Sequence, residues 1–257
     1  MPARTATTTP RSRSCDPPGS PQWGADHQAW RRTDGSLSDG VYFEMLAVGD
    51  DHAAAIPALE PATLEDTGPH HEGAPSIRLR KWRHTDAERV VEACSDERTR
   101  HWLAEGLPSP YTLAHAHSYI ASRGAEASAG KGLCWCVSDS ESDACLGSVA
   151  VMDLGAALGT AGEIGYWTHP DARGQGVMSE AVRLAVRHAF IPREDGGLGR
   201  KRMRLSAADG NLASAHVARV NGFVEVGRDR QAEPLGDGTF ADLVRFDLLV
   251  DEWQSAG

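Results

Sequence analysis

The chain predicts an α+β domain, a mixed sheet with helices on both faces, preceded by a long polar extension. Three observations carry this. Between residues 76 and 250, short strand-like apolar runs are interrupted by segments whose apolar residues recur every three to four positions. The breaks fall at turn signals such as "LPSPY", "SDSESD" and "LGDGT". The resulting order is β-α-α-β-β-β-α-β-α-β-β, without an internal repeat.

The domain opens with "SIRLRKW", in which Ile77, Leu79 and Lys81 alternate with Arg78 and Arg80 as in a strand. In "HTDAERVVEACSDERTRHWL", Thr85 and Glu88 form a capping box, and Ala87, Val90, Val91 and Cys94 make a helical stripe. After "LPSPY", Thr112 caps a second helix through Ile120. "GLCWCVSDSESDACLGSVAVMDL" reads as two strands around a polar turn between Asp139 and Asp143. "GEIGYWTHP" is a further strand that stops at Pro170. From Ser179 to Phe190, Ala181, Val182, Ala185, Val186 and Ala189 have helical spacing, and Pro192 ends the run. "RMRLSAA" is a short strand, and the helix "LASAHVARVN" ends at Gly222. "FVEVGRD" and "FADLVRFDLLV" supply the last strands.

Composition bounds the function. Residues 1–74 are rich in Thr, Ser, Pro, Gly and charge, with little periodic apolar content, and are expected to be mostly disordered. Short helical turns are expected there near "YFEMLAV". Residues 75–253 suffice for one domain with a sizeable core. A formal net charge of -10 argues against a general nucleic-acid binder, which needs a basic face. No apolar run approaches the ~18 residues that span a bilayer, and the N-terminus lacks a signal-like apolar core. The five cysteines are odd in number and show no repeated metal-ligand spacing, so a metal-free protein of the reducing cytoplasm is expected. Cys134 and Cys136 point to one face of a strand as small core or edge residues.

The most informative stretch is "THPDARGQGVMSEAV", a loop between a strand and a helix. In that context backbone N–H groups and the helix dipole converge on one anion. Gly174 and Gly176 remove the Cβ atoms that would obstruct its approach. No Gly-Lys-Ser/Thr follows, and the third glycine of a dinucleotide fingerprint is missing. Taken alone, the loop suits a phosphate cradle and a plain flexible turn equally well.

"EIGYWTHPDARGQGVMSEAVRLAVRHAF" followed by "NLASAHVARVNGFVEVGRDRQAE" resembles the GNAT acyltransferases, most closely the branch with the ribosomal-protein alanine N-acetyltransferases. "LRKWRHTDAERVVEACSD" and "LPSPYTLAHAHSYI" look like that branch too, so the resemblance covers roughly residues 76–250. It implies a GNAT fold with a mostly antiparallel central sheet. It also implies that Arg173, Gly174, Gln175, Gly176 and Val177 hold the pyrophosphate of acetyl-CoA through backbone amides. Met178 departs from the small residue usual at its position. The strand before the loop, with Trp167 and Thr168, would splay from its neighbour and offer its backbone to the pantetheine arm.

Acetyl transfer to an amine needs a group that takes a proton, since such amines are mostly protonated at neutral pH. It also needs donors for the developing oxyanion and the departing thiolate. The resemblance places Glu233 as base, with Glu163 as second candidate or as a cross-strand salt-bridge partner. It places Ser214 as donor to the thiolate, because Ala218 stands where many relatives carry a tyrosine. Asn211 resembles the asparagine that contacts CoA and equally suits an N-cap. His216 reads as a surface helix position. The acceptor pocket would lie near Trp102, Leu107, Tyr111 and Tyr119. The expected function is direct N-acetylation of a primary amine, either a protein N-terminus or a small molecule, by a monomer or homodimer. No partner membrane or nucleic acid is expected. The alternative is an acyl-CoA-binding sensor or scaffold that has lost the chemistry.

Overall fold

In a computed structural model of the chain, residues 22–31, 37–43, 57–65, 75–103, 107–155 and 160–255 are described. The chain divides into two units after Ala54. In the first, β1 (Gln22–Arg31) pairs antiparallel with β2 (Leu37–Phe43). Helical turns were expected near "YFEMLAV", but Val41, Tyr42 and Phe43 lie in β2, as their strand preference favours. Residues 44–48 of that stretch fall outside the described residues.

The second unit holds a mixed sheet with helices on both faces. Its strands are β3 (Leu64–Glu65), β4 (Ile77–Arg80), β5 (Leu133–Asp139), β6 (Cys145–Met152), β7 (Ala161–Thr168), β8 (Arg202–Ala208), β9 (Val224–Pro234) and β10 (Phe240–Leu249). The spatial order is β3-β4-β5-β6-β7-β8-β10-β9, and every neighbouring pair is antiparallel except β7–β8. The helices are α1 (Ala87–Ser95), α2 (Glu97–Trp102), α3 (Leu113–Ser128), α4 (Val177–Phe190), α5 (Leu212–Val220) and α6 (Val250–Ser255). No helix among the described residues is long and apolar enough to cross a membrane.

Strand alternation sorts the two faces. Leu133, Trp135 and Val137 of β5, with Val149 and Val151 of β6, join the cluster under α4 and α5. The alternate residues Cys134, Cys136 and Ser148 turn to the face covered by α1 and α3, and both cysteines are buried there as small packing residues. In α4, Ala181, Ala185 and Ala189 are fully buried at successive turns and bring the helix close to the sheet.

Several boundaries differ from expectation. The segment "HTDAERVVEACSDERTRHWL", in which one helix was expected, holds two, because Asp96 is extended and accepts the Thr99 N–H at 2.9 Å, starting α2 afresh. The side-chain cap at the start is Asp86, which accepts the Arg83 N–H at 2.8 Å, and not a box of Thr85 and Glu88. Asp86 is fixed there by two 2.8 Å bonds from Arg80, a pair that also explains how an arginine sits buried in β4. α3 runs on past Ile120 to Ser128. Chain N-terminal to residue 75 also joins this unit. Leu64 pairs with Leu79, Leu59 N–H donates to Ala127 O at 2.8 Å, and buried Trp135 donates its indole N–H to Ala62 O at 2.8 Å.

Candidate functional site

The site begins where β7 and β8 part. Their ladder runs from Ala161 opposite Arg202 to Ile164 opposite Leu205 and stops there, although β7 continues to Thr168 and β8 to Ala208. On its other side β7 stays paired with β6, ending with Thr168 opposite Gly147. Residues 165–168 therefore present ladder positions toward β8 without a strand partner. They border a cleft of about 660 Å³, within the range of small-molecule sites.

The glycine loop closes one end of this cleft. After His169 a short 3-10 turn leads to Arg173, and then Gly174 and Gly176 adopt φ +73° and +75°. A side chain is disfavoured at those angles, which is why both positions call for glycine. A Cβ on Gly174 would meet no atom within 4 Å, so its Cα faces open space. The loop's polar side chains are engaged elsewhere. Arg173 Nη2 lies 2.5 Å from Asp96 Oδ2 and 2.7 Å from Thr99 Oγ1, tying the loop to the start of α2. The Arg173 guanidinium holds the Asp96 carboxyl below its ordinary range. Gln175 donates its amide N–H to Asp171 O at 2.6 Å and does not border the cleft. What remains facing the cleft is backbone and the first turn of α4, whose N–H groups and dipole favour an anion.

Met178 is buried, and its Cε would lie 3.1 Å from a Cβ placed on Gly147 of β6. The long side chain thus fits above a position that has none. His169 braces the loop from below. It is buried, its Nδ1 accepts the Asp171 N–H at 3.2 Å, and its Nε2 lies 3.1 Å from Glu92 Oε2. Burial and then Arg89 push the His169 pKa below its ordinary value, in keeping with a neutral ring that accepts a backbone N–H.

The opposite wall is α5 with the ends of β8, β9 and β10. Asn211 borders the cleft and caps α5 by accepting the Ser214 N–H at 3.2 Å. Ser214 Oγ lies 2.8 Å from the Tyr166 hydroxyl, which also reaches Ser214 O at 3.2 Å. Ala218 is fully buried and faces the core. Glu233, near the end of β9, borders the cleft as well. Glu163 also borders it but accepts from Ser206 Oγ at 3.2 Å and lies 3.7 Å from Arg204, the cross-strand arrangement considered above. α2 makes the remaining side through Arg98, Thr99, Trp102 and Leu103. The turn between β9 and β10 is pinned to it by Gly236 N–H donating to His101 O at 2.9 Å.

The cleft thus gathers Trp167, Thr168, Arg173, Gly174, Gly176, Val177, Asn211, Ser214 and Glu233 and leaves Gln175 aside. Exposed His216 borders it as well. Of the residues expected around the acceptor, Trp102 does so. Leu107, Tyr111 and Tyr119 instead pack against the small core between α1 and α3. Tyr119 gives its hydroxyl to a contact with Ser148 Oγ at 3.0 Å and receives the Trp167 indole N–H at 3.3 Å. Sequence reading missed the contact between Tyr166 and Ser214. The available signal was strand alternation, which puts Tyr166 on the face of Ile164, toward α4 and α5.

The acetyltransferase (GNAT) domain family matches residues 76–224, more than half of the chain. The chain belongs to the GNAT acetyltransferase family. It is 35% identical over 92 residues to a Bacillus subtilis protein named "Putative ribosomal N-acetyltransferase YdaF", a match covering 36% of this chain and 47% of that one. It is 32% identical over 94 residues to the ribosomal-protein-serine acetyltransferase of Escherichia coli, covering 37% and 49%. The matches span about half the length of these curated relatives. Among solved structures, Mycobacterium smegmatis RimJ in complex with CoA-disulfide superposes with a TM-score of 0.64 at 20% identity, covering 77% of this chain and 95% of that one. Vibrio cholerae spermidine N-acetyltransferase in complex with CoA and spermine gives 0.58 at 17%, covering 69% and 98%. At those identities the likeness concerns the fold, which is the GNAT fold here. Glu233 lies beyond the matched range, so the family match says nothing about it.

Proposed function

We propose that this GNAT domain transfers an acetyl group from acetyl-CoA directly to a primary amine. The observation that carries the reading is one cleft bounded by a parted parallel strand pair, an αL glycine loop at a helix start, and Ser214 and Glu233 on the opposite wall. In this reading the amides around Gly174, Gly176 and Val177 hold the pyrophosphate, with Gln175 contributing backbone only. Arg173 supports the loop through Asp96 rather than gripping phosphate. The backbone of Trp167 and Thr168 aligns the pantetheine arm and donates to the developing oxyanion. Asn211 combines its cap with a contact to CoA.

Glu233 takes a proton from the attacking ammonium, directly or through water, and Ser214 donates to the departing sulfur. Direct attack is favoured over an acyl-enzyme because Cys94, Cys134, Cys136 and Cys145 are buried and none borders the cleft. The names of the two curated relatives favour a ribosomal protein as the source of the acceptor amine. Glu163, the second candidate, accepts from Ser206 and lies near Arg204.

The test is the pH–rate profile of Glu233→Gln with acetyl-CoA and a panel of amines and N-terminal peptides. We expect kcat to fall about 100-fold at neutral pH and by less at high pH, where the amine is already deprotonated. An unchanged profile removes Glu233 from the reaction. Acetyl-CoA binding without turnover of any amine would favour the sensor reading.

A further inference from the structure

Tyr166 is the one phenol that borders the cleft among the described residues, and its hydroxyl has two acceptors within reach, both on Ser214. The two contacts imply different hydrogen arrangements. If Tyr166 donates to the Ser214 carbonyl at 3.2 Å, the Ser214 hydroxyl hydrogen is drawn back toward the phenol oxygen. If Tyr166 donates to Ser214 Oγ at 2.8 Å, that hydrogen is released and free to point into the cleft. The 2.8 Å contact is common to both arrangements, and only the second leaves the Ser214 hydrogen available to a ligand in the cleft. A serine in the first turns of a helix otherwise tends to donate to a carbonyl of the preceding turn, which would hide its hydrogen from the substrate.

We propose that Tyr166 is a positioning residue for the transfer: it donates to Ser214 Oγ and so aims the serine hydroxyl at the departing sulfur of coenzyme A. This rests on the acetyl-transfer reading above. Burial pushes the Tyr166 pKa up to about 12, so the phenol remains a donor at every working pH. The balance of the step is simple. The C–N bond forms, the C–S bond breaks, and its electron pair stays on sulfur, where the Ser214 O–H stabilises it. Of the two protons that the ammonium loses, one leaves through Glu233 to water and the other ends on the thiol sulfur. Tyr166 loses none.

Two leaving groups separate this role from a merely structural one. With an N-terminal serine peptide as acceptor, Tyr166→Phe should lower kcat with acetyl-CoA about 10- to 100-fold and leave its KM within about twofold. The same deficit should appear with S-acetyl-N-acetylcysteamine and vanish with S-phenyl thioacetate, whose arylthiolate needs little help. Ser214→Ala should show the same pattern, and the double variant should be no slower than the worse single one. A readout independent of turnover is ultraviolet titration of the thiol of bound coenzyme A, whose pKa should rise by about half a unit or more in Tyr166→Phe. Equal deficits on all three thioesters, additive losses, or an unmoved thiol pKa would overturn the proposal. Wild-type protein that transfers acetyl normally while Tyr166→Phe is unimpaired overturns this inference alone. Wild-type protein that transfers to no acceptor overturns the parent reading with it.

Discussion

The two walls of the cleft are built on different principles. On the loop side, Arg173, Gln175 and His169 all bond to the protein itself, and what reaches the cleft is backbone held at positive φ. Elsewhere around the cleft, side chains do the facing: Trp102 and Arg98 from α2, His216 from α5 and Glu233 from β9. β9 is an exposed edge strand, in contrast to the buried start of α4. A wall of amides recognises a feature common to every donor molecule, and a wall of side chains can be altered without disturbing the fold. The comparison implies that donor and acceptor recognition are separable by mutation.

The largest effect should come from Gly176→Val. Forcing a β-branched residue to φ +75° costs on the order of 2 kcal/mol. The KM for acetyl-CoA should rise about tenfold or more, with the acceptor KM unmoved. Trp102→Ala is the converse, raising the acceptor KM by up to about tenfold and leaving that for acetyl-CoA alone. If both constants move in either variant, the walls are not independent. Asp96→Asn probes the tie behind the loop and should cost about 1 kcal/mol of donor affinity, matched by Arg173→Met. A much larger loss in Arg173→Met than in Asp96→Asn would mean that the guanidinium meets the phosphates after all.

The smallest effect is a pH dependence of the loop. His169 has a depressed folded pKa, so the unfolded state binds the proton more readily below pH about 6.5. The brace is therefore intact above that pH and is lost as pH falls toward the folded value. Acetyl-CoA affinity should decline over that window in the wild type and stay level in His169→Asn, whose amide oxygen can still accept the Asp171 N–H. Affinities measured between pH 5 and 7 decide it.

Much of this was legible in the chain, and the rest divides by sequence distance. The mixed sheet with its helices, the glycine pair and the parting of the strand before it follow from local pattern and from resemblance. The tie between Arg173 and Asp96 joins positions in different elements, and nothing near Arg173 says that a helix cap will sit beside it. For the same reason Tyr111 and Tyr119 looked like pocket residues, although packing between α1 and α3 consumes them. Asp86 shows the limit of local rules. "HTDAE" offers a good capping box at Thr85 and Glu88, but Asp86, held by Arg80 from the preceding strand, caps the Arg83 N–H instead. The order contributed by Leu59, Ala62 and Leu64 was hidden by a polar neighbourhood, since only contacts with Ala127, Trp135 and Leu79 give those residues a place.

Where β7 outlasts its ladder with β8, the interior of an eight-stranded sheet contains a short edge. Edges normally attract another strand, and proteins usually blunt or cover them. Here the unpaired stretch borders the cleft, so in the acetyl-transfer reading a slender extended ligand with amide groups of its own is the natural filler. For as long as it stays, such a ligand completes the sheet. The melting temperature should then climb with the logarithm of its concentration, and hydrogen exchange at residues 165–168 should slow with it. The substrate becomes, briefly, a ninth strand.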